Sequence, residues 1–98
     1  MKTAEEYITE LDSQGKQTIL YVGFKDTTVA VQSTDPQRLR ILREAMANGG
    51  VPFAFARLRP GAVEMGLLPE YEGDEHLLGV LKQLQAELEK GLREMGAA

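Results

Sequence analysis

The chain has 98 residues, a formal net charge of −4 and no cysteine. That length suits one domain with a small core, so residues 1–98 read as a single α+β domain. The absence of cysteine excludes a disulfide and a thiolate nucleophile, and no apolar run approaches the roughly 20 residues that span a bilayer. The first residues are acidic and lack an apolar signal core, so the expectation is a soluble cytoplasmic protein.

The charge is unevenly spread. Residues 38–59 hold five of the six arginines and a single acid, Glu44, while both flanking segments are acidic. A basic segment in an acidic chain points to a local anion site or an acidic partner. It argues against general nucleic-acid binding, which normally comes with a basic domain.

Residues 3–13 are predicted to form a helix. Thr3 and Glu6 have capping-box spacing, and Ala4, Tyr7, Ile8 and Leu11 make one apolar stripe. Residues 17–24 are rich in β-formers and apolar on both faces, as in a strand covered on both sides. Gly23 suggests a bulge or a close neighbour near the strand's end. Lys25-Asp26 makes a tight connection to residues 27–33, where Val29 and Val31 alternate with Thr28, Ala30 and Gln32.

Thr34-Asp35-Pro36 then opens a second helix, with Asp35 expected at its N-cap and Pro36 at its first position. Asn48-Gly49-Gly50 closes it. Leu39, Ile41, Leu42, Ala45 and Met46 form its apolar side, into which Arg38 projects unusually. Residues 51–59 alternate so that Phe53, Phe55, Arg57 and Arg59 are expected on one face and Pro52, Ala54, Ala56 and Leu58 on the other. Pro52 belongs at a strand start or on an edge. Arg59-Pro60-Gly61-Ala62 has a type II turn signature, which predicts a slightly longer or splayed connection to residues 62–68.

A polar loop, residues 69–74, leads to Asp74, which caps a long last helix. Leu77, Leu81, Leu84, Leu88, Leu92 and Met95 form its seam, and the helix should overhang the sheet. The seam either covers the sheet or pairs with a second copy, making it a candidate association surface. The architecture expected is a four-stranded antiparallel sheet, α-ββ-α-ββ-α, with helices packed mainly on one face. That element order resembles small acidic secretion chaperones, dimers that bind client segments, although those carry additional strands.

Arg40, Arg43, Phe53, Phe55, Arg57 and Arg59 form the candidate anion or partner site. Guanidinium groups bind carboxylate and phosphate, and aromatic rings stack on bases or guanidinium. The competing expectation is that these arginines pair with Glu64 and the acidic final third of the sequence, within the chain or across a dimer. Glu70, Glu72, Asp74, Glu75 and His76 crowd one loop, but their spacing fits no calcium loop, so no metal or cofactor is expected. Gly49-Gly50 follows a helix rather than preceding one, which excludes a phosphate loop. No nucleophile or acid–base motif stands out, so no enzyme is expected. The reading is a small non-enzymatic protein-binding module, homodimeric, serving as a regulator, inhibitor or adaptor of the kind a phage or mobile element encodes. The alternative is a binder of a nucleotide, RNA or acidic metabolite through the arginines.

Overall fold

The computed structural model describes residues 2–15 and 17–96. The elements run α1 (Ala4–Ser13), β1 (Thr18–Phe24), β2 (Thr27–Gln32), α2 (Arg38–Ala47), β3 (Val51–Arg59), β4 (Ala62–Leu67) and α3 (Glu75–Gly96), with a 3-10 turn at Pro69–Tyr71 before α3. The strands make one antiparallel sheet in the order β2-β1-β3-β4. This is the expected α+β fold. No helix among the described residues is long and apolar enough to cross a membrane.

The doubly apolar β1 finds cover on both sides. Leu20 and Val22 pack with Val31 against α1 and Leu42 of α2. Ile19 and Tyr21 pack on the opposite face, under Leu77, Leu81, Leu84 and Leu88 of α3. Thus α1 and α2 share one face, and α3 occupies the other. An interior strand flanked by helices on both faces has no solvated side, which accounts for the run of apolar residues.

The helix ends follow local chemistry. Thr3 caps α1 through the expected capping box, its hydroxyl accepting from the Glu6 amide at 3.2 Å. Asp74 Oδ1 accepts from the Leu77 amide at 3.0 Å and caps α3. The second helix starts later than its sequence suggests. Asp35 Oδ1 accepts from the Gln37 amide at 2.8 Å, two residues on, so Asp35-Pro36 forms a turn and Gln37 takes the N-cap position. Short carboxylates make such turns in competition with helix capping. At the other end Gly49 has φ of 90°, and the Gly50 amide donates to the Ala45 carbonyl at 2.7 Å.

The third strand corrects one expectation. Tyr21 pairs with Ala54, but Val22 pairs with Pro52, so Phe53 is an extra residue opposite β1. This β-bulge turns Phe53 to the α3 face, beside Ala54, while Phe55 stays on the α1 face. Phe53 and Phe55 therefore do not share a face. Pro52 sits at the start of β3, as expected, although the strand is an interior one; it adjoins the bulge, where the ladder is already interrupted. The β3–β4 connection is also tighter than expected. Arg59 pairs directly with Ala62, leaving only Pro60 and Gly61 in the loop, with Gly61 at φ of 74°.

Candidate binding surfaces

The five arginines of the basic segment do not converge on one site. Arg38 reaches from α2 to the end of α1. Its Nη2 donates to Asp12 Oδ2 at 2.9 Å, and its Nη1 donates to the Ser33 carbonyl at 2.7 Å. This accounts for a cation on the apolar side of α2: the stem lies inward and the head bridges three elements. Arg43 joins α2 to α1 through Glu5, with Nε at 2.8 Å from Oε1. That hydrogen bond holds the Glu5 carboxyl below the usual carboxylate range. Arg40 remains on α2 with Gln37 and Glu44.

Arg57 and Arg59 lie on the α1 side of β3. Arg57 donates to Gln14 Oε1 at 2.7 Å and meets Glu64 at 3.5 Å, and its guanidinium carbon stands 5.2 Å from the Phe55 ring centre. Arg59 meets the same Glu64 at 3.6 Å. The Phe55 ring lies over Gly66 across the strand pair, where any side chain would crowd it. An anion arriving at this corner would have to compete with Glu64 for both guanidinium groups. Each arginine of the segment thus has a carboxylate partner within the chain: Arg57 and Arg59 share Glu64, as expected, but Arg38, Arg40 and Arg43 pair with Asp12, Glu44 and Glu5 rather than with the acidic final third.

The leucine seam is divided. Leu81 is buried, and Leu77, Leu84 and Leu88 are partly buried against the sheet. Leu92 is 37% exposed and Met95 77% exposed, so the seam outruns its cover at the C-terminal end of α3. The crowded acids of residues 70–75 and His76 form no metal-holding group among the described residues.

The sequence did not single out the groove between the β1–β2 turn and the first turns of α3. It encloses about 670 Å³. Val51, Phe53, Val80 and Leu84 supply apolar lining, and Lys25, Asp26, Gln83 and Glu87 supply polar groups. Gly23 also lines it, with the Phe53 ring as its neighbour: a Cβ at this position would meet the ring at 3.7 Å, an ordinary contact. Tyr21 lies nearby, and burial first, then the Glu87 charge, raises its hydroxyl pKa. The one signal in the sequence was Gly23 itself. The bulge that delivers Phe53 here, and the 46% exposure of Val51, have no sequence signature.

Comparison with family models, curated proteins and solved structures yields no match for this chain.

Proposed function

We propose that this protein is a small binding module that acts through protein–protein contacts, without catalysis, as a homodimer. The observation that carries the reading is the groove beside α3. It has an apolar floor, a rim of both charge signs, and an exposed Val51 at its mouth. That distribution resembles the centre and rim of a protein interface. The occupant is a short segment of a partner protein with apolar side chains for Val51 and Val80. Such a module serves as an adaptor, inhibitor or regulator, because its output is the sequestration or joining of other chains.

The test combines native mass spectrometry of the purified protein with retention of partners from native lysate by wild type and Val51→Glu. A dimer, and a protein partner retained by wild type and lost by Val51→Glu, would support the reading. A strict monomer from which nothing is retained would overturn it.

A further inference from the structure

We propose that β2 is the dimer interface, and that two copies join their sheets edge to edge through antiparallel β2–β2 pairing about a two-fold axis at Ala30. This rests on the homodimeric reading above and assigns its surface.

Among the described residues both outer strands of the sheet have a free edge, but they are not equally guarded. β4 carries Glu64 mid-strand, is bracketed by Pro60 and Pro69, and is the strand nearest α3. β2, Thr-Thr-Val-Ala-Val-Gln, has no charge, no proline and no register shift against β1. Charges, prolines and bulges are the devices that keep edge strands apart, and β2 has none.

The backbone phase of β2 follows from its pairing. The Ser33 amide donates to the Thr18 carbonyl at 2.9 Å, so the alternate residues Val31, Val29 and Thr27 also bond inward to β1. Thr28, Ala30 and Gln32 therefore direct their amides and carbonyls outward. Of these groups, the Gln32 carbonyl already accepts from the Asp35 amide at 3.1 Å.

One register uses all three outward residues. It sets Ala30 opposite Ala30 of the partner subunit, and Thr28 opposite Gln32 of the partner subunit. The central pair exchanges two hydrogen bonds, and each Gln32 amide gains the Thr28 carbonyl across the axis. Shifting the register by two residues in either direction would leave one of the three unpaired within the strand. β2 carries no charged residue, so no like charges face each other along the strand. The side chains of Thr28, Ala30 and Gln32 lie on the α3 face, where Ala30 and Gln32 are exposed and none is bulky.

The test uses two single variants and a control, read by native mass spectrometry at micromolar concentration. Ala30→Pro removes an outward amide without touching a β1 hydrogen bond, a placement that edge strands accept. Ala30→Cys places the only thiol of the chain on the axis, where paired Cα atoms lie about 5.5 Å apart, within disulfide reach. Val63→Cys puts the same thiol on the β4 edge. The expected result is a wild-type dimer, an Ala30→Pro monomer with an unchanged circular dichroism spectrum, and oxidative cross-linking of Ala30→Cys but not of Val63→Cys. If Ala30→Pro fails to fold, the cross-linking pair decides. A wild-type dimer in which Ala30→Cys does not cross-link, or crosslinks no better than Val63→Cys, overturns the β2 interface and leaves the dimeric reading intact. A wild-type monomer overturns both.

Discussion

Gly50 and Ala45 are locked together at the end of α2. The Gly50 amide donates to the Ala45 carbonyl at 2.7 Å, and a Cβ on Gly50 would lie 2.6 Å from that same oxygen and 3.1 Å from a Val22 methyl. The neighbour is backbone, which cannot swing aside as a side chain can. Gly49 is required for a different reason: its φ is 90°, yet nothing lies within 4 Å of its missing Cβ. Gly49→Ala should therefore cost about 1 kcal/mol, the penalty of left-handed backbone. Gly50→Ala should cost more, about 2–3 kcal/mol, because helix end and β1 must separate. Urea denaturation of the two variants checks the order. Equal losses would mean that the close approach at Gly50 relaxes freely.

The arginine pairs differ in setting. The Arg38 side chain is 27% exposed and is held by Asp12 and the Ser33 carbonyl, whereas that of Arg43 is 59% exposed. A double-mutant cycle with Arg38→Gln and Asp12→Asn should return a coupling of up to about 1 kcal/mol, the upper end for a partly exposed ion pair. Part of the Arg38→Gln effect should survive in the Asp12→Asn background, since the Ser33 bond is independent of Asp12. The Arg43–Glu5 cycle should give a smaller, more salt-sensitive coupling. The reverse order would mean that the reach of Arg38 across three elements adds nothing to stability.

The Glu5 carboxyl makes the acid response of that second pair specific. Arg43 holds its pKa below the usual range in the folded state. A depressed carboxylate stabilises the fold above its unfolded pKa, and that contribution is lost as pH falls through the folded value. The Arg43–Glu5 contribution is thus present at neutral pH and disappears in mild to strong acid. Carboxyl NMR titration of wild type and Arg43→Gln checks it. The Glu5 midpoint should rise in the variant, and an unmoved midpoint would show that the pair does not persist in solution.

Most of this fold was legible because the local signals agree with one another. The Thr3–Glu6 capping box, the two-sided apolar pattern of β1 and the Asp74 cap all appear where their residue types place them. The candidate site was less legible. Alternation along residues 51–59 cannot report an inserted residue, because Phe53 and Ala54 suit either face of a covered sheet. Pro52 was the available hint, since proline inside a sheet is accommodated at a bulge as well as on an edge. The arginines looked like a cluster in sequence but are spread along α2 and β3, and three of them find partners more than 20 residues away, Glu5 and Asp12 in α1 and Gln14 just after it. Short-range spacing carries no information about such pairings.

The seam of α3 offers the sharpest division between core and surface, because one leucine repeat supplies both. Leu81 is 6% exposed and packs with Tyr21, Ala54 and Ala56, three residues from the two interior strands. Truncating it leaves a hole that neither the helix nor a twisted sheet can close, and Leu81→Ala should cost about 2–4 kcal/mol. Leu92, at the end of the same stripe, is exposed, and Leu92→Ala should stay within about 0.5 kcal/mol. Urea melts at several protein concentrations check both values and separate two roles for the exposed end. If Leu92→Ala lowers stability only where wild type is concentrated enough to associate, the end of α3 contributes to an interface. If it lowers stability equally at all concentrations, Leu92 belongs to the fold. A loss as large as that of Leu81→Ala would place the end of α3 against the sheet, contrary to the packing described.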